Sequence, residues 1–305
     1  MKEATRTHYA QTVATAVASI AATLDDALDQ LALARAAALA PLHFQRIFRG
    51  LLGETPLELH RRLRLERAAL QLATTAEAVT RIAFDAGYET HESFTRAFRD
   101  AYAMSPTELR MRVHAARDAC ARPPQITVAA RCGVHYTGSI EPLALTLVLE
   151  NHMKVTIDEM PALRVAAVAH RGPYNQISEA FGRLDAVARP AGLMAHARGM
   201  VAIYHDDPET KPAAELASDA GLILASDVAL PAGLTEVILP AGRYAHATHV
   251  GPYHQLGDAW GQLMGQWLPQ SGHRIGAGDT YEQYLDTPLD TPPERLRTEL
   301  YLPLA

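Results

Sequence analysis

The chain repeats itself in two places, at two different periods, and nothing else in it constrains the architecture as much. Phe44, Arg46, Phe48, Arg49, Pro56, Glu58 and Leu59 recur fifty positions later as Phe94, Arg96, Phe98, Arg99, Pro106, Glu108 and Leu109. Further on, His170–Leu184 aligns with His249–Leu263 at an offset of 79, with 8 of 15 positions identical. Pro161 and Arg164 match Pro240 and Arg243. With one inserted residue, Tyr204, Asp206, Pro208, Pro212 and Leu216 match Tyr284, Asp286, Pro288, Pro292 and Leu296. Each half is therefore a two-lobed unit, and two copies are too few for a solenoid.

A length of 305 residues suits two or three domains. With 48% apolar and 20% charged residues the chain is not mainly disordered. No apolar run reaches the roughly 18–20 residues of a membrane span, and the first thirty residues lack a signal-peptide pattern. Cys120 and Cys132 are the two cysteines, and neither lies in a CxxC. A disulfide scaffold and a structural zinc are therefore not expected, and a reducing cytoplasm is the simpler location.

The net charge of −6 hides an asymmetry. Residues 1–122 carry 16 basic and 14 acidic side chains, whereas residues 123–305 carry 12 and 20. The expected division is 1–115, a linker at 116–153, and 154–305. The linker region fits neither repeat, and a strand or short helix is expected near Leu143–Leu149.

Apolar spacing in the first half is helical. Phe44, Ile47, Phe48 and Leu51 follow i, i+3, i+4, i+7, an inward stripe. Leu42, His43, Gln45, Arg46 and Arg49 are left on the opposite face. In the second copy Phe94, Ala97 and Phe98 point inward, and His91, Glu92, Thr95, Arg96 and Arg99 point outward. Gly53 ends the first such helix, and Ala86-Gly87-Tyr88 makes the turn before the second. Each copy reads as a helix, a turn, and a helix with an Arg/Gln/His outer face, which is helix-turn-helix logic. Arginine and glutamine read base edges in the major groove, and arginine also holds phosphate. A helix over Leu57–Leu72 would span about 24 Å. That could set the two outer faces about one DNA turn, ~34 Å, apart. The alternative is a plain bundle with solvated arginines; the duplicated placement of Arg46 and Arg96 argues for double-stranded DNA.

These residues also resemble a known family. Ala34–Phe48, Gly53-Glu-Thr-Pro56, Arg64–Ala68, Ile82–Tyr88, Ser93–Phe98 and Ser105-Pro106 are similar to the AraC/XylS DNA-binding domain over residues 10–112. The resemblance implies base-facing positions at Leu42, Gln45 and Arg46, then at His91, Glu92 and Arg96. Leu42 could meet only a thymine methyl, and Glu92 could accept only from a cytosine amine, so the operator stays open.

The second half alternates strand and helix signals. Strands are expected at 165–169, 201–204, 221–224, 243–249, 281–285 and 299–302, with helices over 174–188 and 253–267. The expected fold is thus multidomain: an all-α double helix-turn-helix domain, then an α+β domain duplicated about a pseudo-twofold axis. The copies differ where Phe181 becomes Trp260 and Ala202 becomes Glu282. On a strand, Glu282, Tyr284 and Asp286 share one face. A carboxylate in an aromatic, partly dry groove would attract an organic cation, helped by cation–π attraction. The plainer alternative places Glu282 at a wet edge or beside Arg243.

The repeated Gly-Pro-Tyr, the segment Tyr281-Glu-Gln-Tyr284 and the ending Pro292–Pro303 resemble the GyrI-like effector-binding domain over residues 154–305. That resemblance implies Glu282 as the acid of a central drug-binding pocket, with Trp260, Trp267 and Tyr284 as its aromatic lining. The domain order is similar to that of Rob-type regulators.

Other chemistries find less support. His246 and His249 would point to opposite faces of a strand, His205-Asp206-Asp207 reads as a solvated turn, and no HExxH or GxSxG occurs. No metal, cofactor or catalytic residue is expected. The reading is a ligand-responsive transcription regulator, not an enzyme. Its partners would be duplex DNA and a small, hydrophobic, cationic effector, with RNA polymerase a further candidate. Two rivals stand beside it. One is a small-molecule hydrolase using Glu282 as base. The other is a module binding a partner protein, which a filled groove or an arginine locked onto Glu282 would favour.

Overall fold

A computed structural model describes residues 2–119, 124–138, 153–206, 211–225 and 228–305. The chain divides into two compact units. One comprises Met1–Tyr9, Ala38–Gly50 and Leu149–Ala305, and the other Ala10–Ala37 and Leu51–Val148. The expected element near Leu143–Leu149, and Cys120, lie outside the described residues.

Among the described residues the amino half holds seven helices: α1 (Lys2–Ala22), α2 (Gln30–Ala36), α3 (Pro41–Leu52), α4 (Pro56–Thr74), α5 (Val79–Asp85), α6 (His91–Tyr102) and α7 (Pro106–Asp118). Their starts are written locally. Asp29, Thr90 and Ser105 each cap a helix by accepting from a backbone N–H three residues on. Thr55 and Glu58 form a reciprocal capping box at α4, with Pro56 in its first turn. Gly53 and Gly87 adopt φ of 80° and 82°, the left-handed turns expected after α3 and before α6.

In the second repeat the inward stripe is core. Phe94 and Phe98 of α6 are fully buried with Ile82 and Ala83 of α5, Leu65, Ala69 and Leu72 of α4, and Leu109 and Val113 of α7. Burying a side chain of this size contributes about 1.5–3 kcal/mol. In α3 the equivalent Phe44, Ile47, Phe48 and Leu51 are likewise buried.

Residues 124–138 lie within the stretch expected to be a linker. They are fastened to α4 and α6. Glu66 is wholly buried and accepts from the backbone N–H groups of Val128 and Tyr136 at 2.9 and 2.8 Å. Arg62 bonds Glu66, both oxygens of Glu54 and the Val134 carbonyl. Tyr102 donates to the Ile126 carbonyl at 2.8 Å. Burial first, and then Glu54, push the Cys132 thiol up to about 11, so it stays protonated. Arg62 and Glu66 stand four residues apart on α4, and residues 124–138 cover them from water.

The carboxyl half is α+β. An eight-stranded antiparallel sheet comprises β1 (Thr156–Met160), β2 (Leu163–Arg171), β3 (Ala197–Tyr204), β4 (Ala217–Leu224), β5 (Thr235–Leu239), β6 (Gly242–Val250), β7 (Tyr281–Tyr284) and β8 (Arg297–Pro303). Their order is β1-β6-β8-β7-β3-β4-β2-β5. α8 (Ser178–Ala188) packs Leu184 and Ala188 on Ala166, Leu222 and Leu224. Val165, Ala167, Val201, Ile203 and Ile223 face the other way, towards Tyr244, Tyr281 and Tyr301. Both faces are covered, which is why these strands read as unbroken apolar runs.

The second repeat helix is less uniform than expected. A 3₁₀ turn (Tyr253–Gln255) leads into α9 (Leu256–Gly261), a π-helical stretch (Gln262–Trp267) and α10 (Leu268–Ser271). Wide turns of this kind are frequent at functional sites.

Candidate functional site

Strand β7 carries Glu282 into the interior. Its main-chain partner on β3 is Ala202, whose methyl leaves room for a longer side chain opposite. Glu282 is 3% exposed. Trp260 Nε1 donates to its Oε1 at 2.8 Å, and the Tyr284 hydroxyl donates to its Oε2 at 3.0 Å. Tyr204 also reaches it and lies 3.2 Å, oxygen to oxygen, from Tyr284. Burial raises the Glu282 carboxyl above its ordinary value, opposed by the Trp260 bond, the charge of Arg46 and the two tyrosines. Tyr204 and Tyr284 are driven well above the phenol range by burial, and so remain neutral donors. Around them, Phe181 and Tyr253 pack on the Tyr284 ring and Tyr174 on Tyr204.

The site has an occupant. The Arg46 guanidinium lies 4.0 Å from the centroid of the Trp260 ring, and its Nη1 donates to Thr280 Oγ1 at 3.3 Å. Arg49 pairs with Asp258 at 2.8 Å. The two helices meet at glycines: a Cβ on Gly50 would fall 2.1 Å from the Gly261 carbonyl oxygen and 2.4 Å from Gly265 Cα. Leu42 is buried, Gln45 half-buried, and His43 is pushed down to about 4 by burial and then by Arg46.

The outer face expected for α3 is thus not open in this structure. Leu42 is buried and Arg46 lies over the Trp260 ring, whereas Arg49 is exposed and pairs with the exposed Asp258. A buried carboxylate beside an indole face is a strong sink for a guanidinium. The equivalent face of α6 is open. His91, Glu92, Arg96 and Arg99 are exposed, and with Thr95 and Asp100 they line one surface depression.

Three expectations for the acid site change. Asp286 does not share the strand face, because β7 ends at Tyr284 and Asp286 binds Arg297 through both oxygens. Arg243 lies by Glu159, 3.8 Å away, rather than by Glu282. Trp267 stacks on His273 and is not brought to the acid. Sequence reasoning missed Tyr204, Phe181, Tyr253 and Thr280. Tyr204 had a signal, since it aligns with Tyr284 in the repeat. Among the described residues no group of three or more His, Cys, Asp or Glu could hold a metal ion, and no helix is long and apolar enough to cross a membrane.

A helix-turn-helix module joined to a small-molecule binding domain defines a DNA-binding transcription regulator. The model of the GyrI-like small molecule binding domain matches residues 153–305, and a helix-turn-helix domain model matches 33–112. The chain belongs to the AraC/XylS-type regulators that end in a GyrI-like domain. A DNA gyrase inhibitor of Yersinia enterocolitica is 34% identical over 140 residues, 44% of this chain and 87% of that protein. The regulatory protein SoxS of Salmonella typhimurium is 30% identical over 105 residues, 34% of this chain and 98% of its own length. The probable transcriptional regulator YgiV of Escherichia coli is 26% identical over 160 residues, covering 50% and 97%.

Proposed function

We propose that this regulator senses an organic cation at Glu282 and couples that event to duplex DNA. One observation carries the reading: a carboxylate removed from water, held by Trp260, Tyr284 and Tyr204, with a cation stacked on the same indole. Such a site gains from a flat positive charge and little from a neutral molecule. The test is isothermal titration calorimetry with a lipophilic cation. Binding should be lost in Glu282→Gln, and retention of full affinity there would refute the reading.

DNA contact is assigned to Leu42, Gln45, Arg46 and Arg49 of α3 and to His91, Glu92, Thr95, Arg96 and Arg99 of α6. The domain boundaries 1–115 and 154–305 belong to the same proposal, and so does the duplication. The strand order supports it: β1 to β4 correspond to β5 to β8 by sequence repeat, and the order reads identically from either edge after that exchange.

Both oxygens of Glu282 are already engaged by donors, which favours binding over use of this acid as a base on water. A second reading, a module for a partner protein, is favoured by the filled site. The occupying arginine belongs to the same chain, so the partner in question is α3.

A further inference from the structure

We infer that Arg46 acts as an internal ligand of the effector site, and that an aromatic amidinium or guanidinium effector works by taking its place. The inference rests on the reading of Glu282 as an effector site. It adds the chemical class of the effector and the event that transmits its arrival.

The present occupant defines the class. It is planar, cationic and able to donate hydrogen bonds. It lies over the Trp260 ring, 4.0 Å from its centroid, donates to Thr280 and is close enough to Glu282 for its charge to be felt there. A small molecule with a flat guanidinium reproduces each contact, and an attached aryl ring finds the Phe181, Tyr253 and Tyr284 rings. A neutral isostere meets a buried carboxylate without charge, so it is discriminated against.

The consequence for DNA follows from geometry. Arg46 cannot lie on Trp260 and reach into a major groove at once, nor can Arg49 both hold Asp258 and hold a phosphate. With Gly50 against Gly261 and Gly265, no side chain fits between the two backbones. The docked helix and the DNA-bound helix are therefore alternative states. An effector that binds only the vacated site shifts the balance by its differential affinity. α6 stays open in the docked state, so a chain without effector holds DNA through one motif and gains the second on binding.

Gly265 and Gly261 supply a test that leaves the DNA-facing side chains alone. A Cβ at Gly265 would fall 2.2 Å from Gly50 Cα, whereas one at Gly261 would lie 3.8 Å from it, an ordinary contact. Full-length wild type, Gly265→Ala and Gly261→Ala would be titrated with phenylguanidinium, with phenylurea as the neutral control. Hydrogen exchange of peptides spanning 41–52 would be followed with and without the probe. Gly265→Ala should bind phenylguanidinium roughly tenfold tighter than wild type, as expected when a competitor present in nine molecules of ten is removed. Its α3 peptides should exchange fast without probe, and saturating probe should accelerate them in wild type and Gly261→Ala alike. Should Gly265→Ala fail to fold, Asp258→Ala, which removes the partner of Arg49 and no group that the effector touches, should show the same tighter binding and faster α3 exchange. Equal affinity in wild type and the undocked variants, or α3 exchange unmoved by saturating probe, overturns the internal-ligand inference and leaves the effector site standing. No binding of phenylguanidinium to any variant overturns both.

Discussion

Ala202 and Glu282 are direct cross-strand partners on β3 and β7, and they also hold equivalent places in the two sequence repeats. A strict duplication would set two carboxylates against each other in a dry interior. Two such groups cannot both ionise at close range. Ala202→Glu is therefore expected to destabilise the carboxyl domain by about 3–5 kcal/mol, the usual cost of an uncompensated buried charge. Urea unfolding of the full chain measures this, and Ala202→Ser should be far milder.

Arg96 is exposed on α6 and unencumbered by the contacts that hold Arg46. Arg96→Ala should weaken binding to a selected duplex by about 1–3 kcal/mol and relax sequence preference at its contact position. Fluorescence anisotropy at fixed salt reads the effect. Without effector, Arg46→Ala should cost less than Arg96→Ala, because that side chain is already engaged elsewhere.

Phe94 and Phe98 are fully buried and 5.5 Å apart, ring to ring. Phe98 also stacks on Tyr102, whose hydroxyl holds the Ile126 carbonyl. Phe98→Ala should cost about 3–5 kcal/mol through the cavity it leaves. It should also loosen residues 124–138, seen as faster proteolysis there.

His246 lies between Glu299 and Asp158, at 2.6 and 2.9 Å, bridging β6 to β8 and β1. Burial opposes its protonation, but the two carboxylates outweigh it and raise its folded-state pKa above the ordinary histidine value. A raised pKa stabilises the fold fully below the unfolded value of about 6.5. That contribution is lost as pH climbs through the folded value. The melting temperature should therefore fall on the alkaline side of neutrality. His205, raised by Asp219, has the same sign, so the share due to His246 is the difference from His246→Gln.

Much of the fold was legible because its period was. The stripes Phe44-Ile47-Phe48-Leu51 and Phe94-Phe98 point inward as read, and six strands were placed within a few residues. β1 and β5 were not expected. They are the two edges of the sheet, and Thr156–Met160 and Thr235–Leu239 are mostly exposed or half-buried, so neither shows a hydrophobic signature. Glu282 was legible because the second repeat alone sets a carboxylate beside its tyrosine. Its ring of tyrosines was only half legible, since Tyr204 comes from the other repeat. Arg46 was read from the sequence as an outward-facing side chain, and its place over the Trp260 ring was invisible there. That contact joins positions more than two hundred residues apart, and a solvated arginine looks the same in a sequence as one lying on an indole.

The two tryptophans of this chain, Trp260 and Trp267, stand seven residues apart in one helical stretch. One is buried with its ring N–H committed to an acid, and the other is half-buried against a histidine. The emission of Trp260 therefore arises 4.0 Å from the Arg46 guanidinium, with Trp267 as a reference on the same helical stretch. The protein carries its own optical reporter, and no dye is needed to watch that exchange.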